Sequence, residues 1–265
     1  MSLPVWRLIP PLDAPGHQQM ALDAWLFQQC AQGLHSPVLR FYTWSPPAIS
    51  LGKNQHRWPQ HWQQLTWNDQ VLELVRRPSG GRAVLHQGDL TYMVIANDPS
   101  GHRRQTYRRL CEFLIQGWQS LGVALHYGGA GRGYIHQPHC FATATDADLV
   151  MADGTKLIGS AQAWQGTTVL QHGSIRLQPD TDLYAQVFGV LPAVQTETLI
   201  IIKKITHDKL MQALIEAAEN CFKVRFKVQA LADVEWQQAE VYAAQHSVKV
   251  SDSIAKRGIS SGGRY

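Results

Sequence analysis

Residues 156–177 read KLIGSAQAWQGTTVLQHGSIRL, and this stretch is the strongest indication of the fold class. It contains two runs typical of β-strands, 156–164 and 168–177, which Gln165-Gly166 separates. So short a connection containing glycine is typical of a β-hairpin, and we expect the two strands to pair in antiparallel fashion. Asp153-Gly154 is a second connector of this kind, just before the first strand. The stretch therefore predicts antiparallel pairing rather than repeated strand–helix–strand units.

Further strand-like and helical runs surround this hairpin. Apolar and β-branched runs predict strands over residues 38–42, 48–51, 71–75, 83–86, 90–96, 123–127 and 148–151. Helical periodicity, with Thr206 as the expected N-cap of the last helix, predicts helices at about 17–32, 104–121, 181–188 and 206–223. We therefore expect an α+β fold, with a mixed, mainly antiparallel sheet backed by helices.

The sequence also predicts how the chain divides. It contains no evident linker or internal repeat, so we expect a single domain over residues 1–246. The region from about residue 190 leaves room for a small C-terminal subdomain. Residues 247–265 are rich in Ser, Gly and Lys, and we expect them to form a loosely held tail.

Composition and charge narrow the classes of function. The 265 residues are 45% hydrophobic and 17% charged, as in an ordinary globular protein. The 24 Lys and Arg against 20 Asp and Glu leave a net charge of +4, which is too small to indicate a nucleic-acid partner. No run approaches the roughly 18 apolar residues of a membrane span, and residues 1–7 lack the pattern of a secretion signal. We therefore expect a cytoplasmic protein that binds neither nucleic acid nor a membrane.

The four cysteines differ in their surroundings and fit neither a zinc spacing nor a compact disulfide framework. Three of them fall on helical stripes and are predicted to be small core residues: Cys30, Cys111 and Cys221. Cys140 is the exception, because it follows a glycine-rich run in a segment without regular periodicity. His136 and His139 lie near it, but no carboxylate or second thiol completes a metal site there, so we expect no metal.

A glycine pair between basic residues forms another informative stretch, RRPSGGRAVLHQGDLTY at residues 76–92. Glycine permits positive φ and lets another molecule approach the backbone closely. Gly80 and Gly81, flanked by Arg77 and Arg82, therefore predict a cradle for an anionic or carbonyl-bearing ligand. Taken alone, the pair is more typical of a simple turn.

Segments further along the chain carry a resemblance to a known family. They read HCF at 139–141, KLIGSAQ at 156–162 and LQHGSI at 170–175. Together with GGRAVLH at 80–86, they resemble the biotin and lipoate protein ligases and lipoyl transferases. They are most similar to the octanoyl-carrier-protein:protein N-octanoyltransferases whose cysteine lies upstream of the lysine. The similarity runs over about residues 21–175, and it implies the α+β catalytic fold of that family.

The resemblance implies acyl transfer through a thioester. Cys140 attacks the octanoyl thioester of acyl carrier protein, and a lysine of a lipoyl domain then takes the acyl chain as an amide. Lys156 is the candidate for the positive charge that favours the reactive thiolate. From the residues alone, Cys140 is more typical of an inert buried thiol, and Lys156 is more typical of a surface lysine beside a turn.

The same segments supply the expected substrate-binding residues, which are Arg77, Gly80, Gly81, Arg82, His86, Gly159, Ser160, Ala161, His172 and Gly173. Backbone N–H groups at Gly80-Gly81 or Gly159-Ser160, together with Lys156, are the candidate donors to the oxyanion. A narrow apolar slot is expected to hold the acyl chain, with a lining of Val84, Leu85, Ile158 and Val169. We expect His86 and His172 to bind rather than to catalyse, because a histidine within a strand is more often structural.

Three other functions fit parts of the sequence. An ATP-dependent lipoate-protein ligase would use the same glycine loop with ATP and Mg²⁺ and would need no cysteine. Arg82 in place of a third glycine and Gln87 in place of an aspartate disfavour it. A lipoyl-domain amidotransferase is poorly separated from the octanoyltransferase, whereas a non-catalytic module would need neither Cys140 nor Lys156. We therefore expect an acyltransferase that uses no cofactor.

The resemblance also implies the partners. The donor is octanoyl-acyl carrier protein, and the acceptors are lipoyl domains of 2-oxoacid dehydrogenase E2 subunits and the glycine cleavage H protein. One predicted helix carries a cluster of basic residues, Arg103, Arg104, Arg108 and Arg109. An acidic carrier protein is a candidate partner for this cluster, and solvated helix charges are the simpler explanation.

Overall fold

A computed structural model of the chain describes residues 2–129, 147–191, 200 and 202–248. The strands are β1 (Val5–Ala14), β2 (Val38–Trp44), β3 (Ala48–Leu51), β4 (Thr66–Trp67), β5 (Gln70–Val71), β6 (Glu73–Arg76), β7 (Val84–His86), β8 (Asp89–Asn97), β9 (His126–Tyr127), β10 (Asp148–Val150), β11 (Lys156–Gln165), β12 (Thr168–Arg176) and β13 (Arg225–Val228). The helices are α1 (Gly16–Ala31), α2 (Arg103–Ser120), α3 (Thr181–Phe188), α4 (His207–Phe222) and α5 (Asp233–His246), with a short 3-10 helix at Gln60–Gln64.

The largest sheet has the strand order β13-β1-β2-β8-β12-β11-β10-β9. Strand β1 runs parallel to β13 and to β2, and the remaining pairs of this sheet are antiparallel. The predicted hairpin is formed by β11 and β12, which pair from Ile158↔Ile175 to Gln165↔Thr168. The prediction of a mixed, mainly antiparallel sheet is thereby confirmed. Strands β1 and β13 were not among the predicted ones.

Helices cover both faces of this sheet. Because side chains alternate along a strand, Tyr92 and Val94 of β8 pack on one face with α2 and α4. Met93 and Ile95 pack on the other face with α1. Helix α5 lies against α1. Two separate apolar cores therefore cover the two faces of the central strands.

The bounds of α1 to α4 agree with the predicted ones to within one residue, and the caps explain them. Helix α5 was not among the predicted helices. The hydroxyl of Thr206 accepts a hydrogen bond from the Lys209 backbone N–H, as expected of an N-cap. Helix α4 ends where Lys223 takes the left-handed conformation with φ 56°. Helix α3 begins at Asp180, whose carboxylate accepts from two backbone N–H groups, and ends at the left-handed Gly189.

A smaller sheet, in the order β6-β3-β7, lies beside the large one. Strands β3 and β6 are parallel, whereas β3 and β7 are antiparallel. Apolar residues of β3 pack beneath it against α3 and Trp62. The predicted strand at 71–75 is divided between β5 and β6. Of the predicted strand at 123–127, only His126 and Tyr127 form a strand, β9.

The C-terminal part of the described chain packs onto the rest. Strand β13 forms an edge of the large sheet, and Ser247 makes an isolated bridge with Val75. The predicted boundary at residue 246 and the predicted subdomain from about residue 190 stay predictions, and residues 249–265 lie outside the described ranges. Among the described residues, no helix is long and apolar enough to cross a membrane.

Candidate active site

A cavity of about 280 Å³ opens where the two larger sheets meet. Its wall combines residues of β2, β3, β7, β8, β11 and β12 with the glycine loop at 77–81. Apolar side chains of Met20, Tyr42, Trp44 and Val84 form part of the lining. Small-molecule sites commonly measure roughly 300–1,000 Å³, so this cavity lies near the lower end of that range.

Most of the predicted substrate-binding residues come together here. The cavity is lined by Arg77, Gly80, Gly81, His86, Lys156, Gly159, Ser160, Ala161, His172 and Gly173. Arg82 is not among its lining residues, and its backbone carbonyl accepts a hydrogen bond from Arg77. Of the predicted acyl slot, Val84 lines the cavity, whereas Ile158 and Val169 belong to the apolar core between sheet and helices. Leu85 packs on the small sheet.

The guanidinium of Arg77 holds the glycine loop in shape. Its nitrogens donate to the carbonyls of Gly80, Arg82 and Ser50 at 2.8 to 3.2 Å, and Nη1 also reaches the Ser50 hydroxyl at 3.3 Å. Gly81 has φ 100°, a conformation that favours glycine. A Cβ on Gly52 would stand only 1.9 Å from the Gly81 carbonyl oxygen. The predicted anion cradle is therefore a loop whose arginine supports its own backbone.

A chain of buried hydrogen bonds ties this loop to the centre of the fold. The Ser79 hydroxyl lies 2.5 Å from His172 Nε2, and His172 Nδ1 lies 2.9 Å from the Asp23 carboxylate. Burial lowers the pKa of His172 below its ordinary 6.5, so the ring is neutral near neutral pH. Burial would raise the pKa of Asp23, but Arg40, His172 and Tyr42 together hold it below 3.8.

A second chain of the same pattern lies beside the first. The Ser50 hydroxyl is 2.8 Å from His86 Nε2, and His86 Nδ1 is 2.9 Å from the Asp89 carboxylate. The indole ring of Trp44 stacks on the imidazole at 3.9 Å. In both chains the two ring nitrogens of the histidine bond within the protein. His86 and His172 therefore fix the orientation of two serines, and neither presents a nitrogen to the substrate in this arrangement.

Lys156 forms a buried ion pair inside the cavity. Its Nζ lies 2.8 Å from Asp148 Oδ1, and the two side chains are 5% and 7% exposed. The antiparallel pairing of β10 with β11 brings the two side chains together. Lys156 begins β11 opposite Val150, and the register shifts between Leu149 and Val150 on β10. Withdrawing an ammonium from water is costly unless a carboxylate compensates it, and Asp148 supplies that carboxylate in the cavity wall. Cys140 lies outside the described residues, and its predicted role stays a prediction.

Of the other cysteines, Cys111 is a core residue as predicted, whereas Cys30 and Cys221 are half-buried at the edges of the two cores. Burial raises the pKa of Cys111 and of Cys30 to about 12, and that of Cys221 to about 11. All three are therefore protonated near neutral pH and poorly nucleophilic. Within the described part of the chain, no three His, Cys, Asp or Glu side chains form a cluster that could hold a metal ion.

Comparison with known proteins was made on both sequence and fold. Residues 15–219 match the family described as the lipoyl protein ligase A/B catalytic domain. The chain belongs to this family. An octanoyltransferase LipM from Moorella thermoacetica is 37% identical over 205 residues, which are 72% of this chain and 71% of that protein. An octanoyltransferase LipM from Carboxydothermus hydrogenoformans is 34% identical over 209 residues, 77% of this chain and 76% of that protein.

Solved structures share the lipoyl protein ligase A/B fold. Lipoate-protein ligase A bound with ATP superimposes with a TM-score of 0.73 at 21% identity, covering 92% of this chain and 95% of that one. A bi-partite lipoate protein ligase from Thermoplasma acidophilum gives 0.67 at 19% identity, covering 92% and 93%. At such identities the likeness shows the fold alone. It confirms the predicted catalytic fold of the biotin and lipoate ligases.

Several residues of this lipoyl ligase-type site were missed by reasoning from the sequence. They are the groups that hold the lining in place: Asp23, Ser50, Ser79, Asp89 and Asp148. Asp23 sits within an apolar helix and Asp148 opens a short strand, so each breaks the local pattern, and a carboxylate at a buried position was the available signal. Ser79 adjoins the glycine pair but resembles an ordinary turn residue.

Proposed function

We propose that this protein transfers an octanoyl group from octanoyl-acyl carrier protein to a lysine of lipoyl domains, as its octanoyltransferase relatives are named to do. The observation that carries the proposal is the buried Lys156 in a cavity of acyl size. A lysine beside a simple turn would extend into solvent, whereas this one lines the wall between two glycine-rich segments. A positive charge in a water-poor cavity is what a thiolate and an oxyanion require.

The reaction proceeds in two displacements. The thiolate of Cys140 attacks the thioester carbonyl, and the carrier's thiol sulfur leaves and takes up a proton. The amine of the acceptor lysine then attacks the new thioester, Cys140 leaves as thiolate, and the amine loses its proton. In each step the oxyanion is stabilised by Lys156 and by backbone N–H groups of the glycine loop or of residues 159–160.

Several described residues support the proposed position of the acyl chain. Apolar side chains of Met20, Trp44 and Val84 line the cavity and offer a place for the hydrocarbon. The Tyr92 hydroxyl donates to Ser160 Oγ at 2.7 Å and itself accepts from Gln171 at 3.0 Å. This directs the Ser160 hydroxyl proton away from Tyr92, so that Ser160 serves as a polar group on the cavity wall.

The proposed partners and conditions follow from this chemistry. Acceptors are lipoyl domains of 2-oxoacid dehydrogenase E2 subunits and the glycine cleavage H protein, and the reaction takes place in the cytoplasm. A thioester donor is already activated, so the transfer needs neither ATP nor Mg²⁺. A ligase reaction from free lipoate would need both.

A transfer assay tests the proposal. The protein is mixed with octanoyl carrier protein and a lipoyl domain, with and without ATP, and octanoylated lipoyl domain is measured by intact mass. We expect product without ATP and loss of product in Cys140→Ser, with activity retained in the matched control Cys221→Ser. Product that demands ATP and free acid, and that survives Cys140→Ser, would establish the ligase instead. Transfer from octanoylated H protein but not from carrier protein would establish the amidotransferase.

A further inference from the structure

Helix α2 presents an unusually basic surface. It carries four arginines and one acidic residue, Glu112. The four guanidinium groups belong to exposed residues and, together with the exposed Lys223 at the end of α4, form what we call the basic face: Arg103, Arg104, Arg108, Arg109 and Lys223. We infer that the basic face is the docking surface for the acidic acyl carrier protein that donates the octanoyl group. The inference rests on the function proposed above.

Two of these arginines stand where a helix disfavours positive charge. Arg103 and Arg104 occupy the first turn of α2, which contains no acidic residue and no side-chain cap. A cation at the positive end of the helix dipole costs roughly 0.3–1 kcal/mol. The first turns of α3, α4 and α5 instead carry Asp182, Asp208 and Asp233. A local rule broken at a cost in stability points to a binding role for the charges.

The basic face begins at the rim of the acyl cavity. Tyr107 lies between Arg104 and Arg108 in sequence, and its hydroxyl reaches the backbone carbonyls of Ala147 and Ser160, which both line the cavity. Arg103 stands 5.6 Å above the ring of Trp164. The Trp164 indole N–H donates to Gln162, another lining residue, at 3.0 Å. A protein bound to this face is therefore next to the site of chemistry.

The face continues into an open groove of about 500 Å³ between α2 and the end of α4. Arg108, Arg109 and Lys223 line this groove, with Glu112 as its acidic member. Arg108 lies 5.1 Å above the ring of Tyr127, and a guanidinium that is already held by a ring loses less side-chain entropy when it binds a carboxylate. Arg109 Nη2 is itself paired with the Asp98 carboxylate at 2.9 Å. The groove thus offers chiefly Arg108 and Lys223 to a partner with acidic side chains.

Geometry favours the carrier over the acceptor as the occupant. A carrier protein bears its acyl group at the end of a long flexible arm, so its body docks at some distance from the cavity. An acceptor lysine is short, so the domain that bears it must touch the rim directly. The 18 residues of α2 extend for about 27 Å, and with the groove that Lys223 lines the basic face continues from the rim to the end of α4, which gives room for the body of a carrier protein away from the cavity. Steering by such charges acts mainly on the association rate.

The test compares two donors. Octanoyl carrier protein uses the basic face, whereas octanoyl-pantetheine is too small to reach it. Arg104→Glu/Arg108→Glu is the test variant, and the milder Arg104→Gln/Arg108→Gln guards against misfolding, with both checked by thermal melting. Lys203→Glu/Lys204→Glu is the matched control, because these exposed lysines precede α4 and lie away from the basic face. Helices α2 and α4 run antiparallel, since Gly117 meets Leu214 while Arg109 lies near Cys221, so the start of α4 is beside the end of α2 that carries no arginine.

We expect the charge reversal to raise KM for octanoyl carrier protein at least roughly tenfold and to flatten its dependence on salt. The rate of transfer from octanoyl-pantetheine by the arginine variants stays within about twofold of the parent. The lysine control keeps its KM for octanoyl carrier protein within about twofold as well. An unchanged KM for the carrier overturns the inference and leaves the proposed function standing. An increase in KM for the lipoyl domain alone also overturns it, because the face then belongs to the acceptor. A folded parent that transfers from neither donor overturns the proposed function as well.

Discussion

Lys156 and Asp148 form an ion pair between adjacent antiparallel strands, with Nζ and Oδ1 2.8 Å apart and both side chains almost fully buried. A buried ion pair adds little net stability, because removing both charges from water costs about as much free energy as their attraction returns. Its charges are tolerated because each compensates the other. Under the proposed function this ion pair holds the cation that assists the chemistry, and we expect removal of either partner alone to be costly.

Asp148→Asn should destabilise the protein by about 3 kcal/mol or more, because it leaves the Lys156 ammonium buried without a carboxylate. Activity should fall with it. Adding Lys156→Met to this variant should recover part of the lost stability but none of the activity. Urea unfolding of the two single variants and the double variant measures the coupling. Asp153→Asn, in the exposed turn before β11, is the matched control and should change stability by only about 0.5 kcal/mol.

His172 should make stability depend on pH. Because burial lowers its pKa below 6.5, the unfolded chain takes up a proton at higher pH than the folded protein does. Between these two pKa values the unfolded state binds more protons, so the free energy of unfolding falls as pH decreases below 6.5. Urea unfolding at about pH 7.5 and about pH 5.5 should show a smaller decrease in His172→Gln than in the parent. An equal decrease in both proteins would contradict this role of the buried ring.

Gly52→Ala should deform the glycine loop, since the added Cβ would stand 1.9 Å from the Gly81 carbonyl oxygen. Backbone must move to relieve this contact, and we expect a loss of about 2 kcal/mol or more in stability together with slower transfer. Gly80→Ala is the matched control for stability, because its Cβ would meet nothing within 4 Å. Equal melting temperatures for the two variants would show that the close approach is not needed.

Val84→Phe should shorten the acyl chain that the site accepts. Val84 lines the cavity on β7, and a phenyl ring there removes space that the end of the octanoyl group would occupy. We expect kcat/KM for octanoyl transfer to decrease by roughly tenfold or more relative to hexanoyl transfer, because each methylene that loses its place in an apolar pocket costs ~1–3 kcal/mol. Val71→Phe, at a position that is 59% exposed on β5, should leave this ratio unchanged. Competition between the two thioesters measures the ratio directly.

Much of the fold could be predicted because its signals are local. The hairpin of β11 and β12 depends on alternation and a two-residue turn, and the helices depend on periodicity and caps such as Thr206. Strand β1 escaped prediction because Pro10 and Pro11 interrupt its pattern, and the structure accommodates them at a register shift between Ile9 and Leu12. Strand β13 has only four residues, and its pairing depends on contacts distant in sequence.

The site was predictable only in part. The glycine loop, Lys156 and the His172 segment were found through their motifs, and the structure places them around one cavity. The supporting groups were not found, because a hydrogen bond such as that from His172 to Asp23 joins residues 149 apart in sequence. Arg77 illustrates the same point. The charge beside the glycine pair suggested an anion site, whereas its N–H groups are engaged by the carbonyls of Ser50, Gly80 and Arg82.

The central claim is that one thiol carries the acyl group between donor and acceptor. Its most direct test is intact-mass analysis of the protein after brief exposure to octanoyl carrier protein without a lipoyl domain, followed by peptide mapping. We predict a single octanoyl adduct on Cys140 that disappears when the lipoyl domain is added, and that does not form in Cys140→Ser. Octanoylation of the lipoyl domain at full rate with no adduct on Cys140, and at the same rate in Cys140→Ser, would contradict the account.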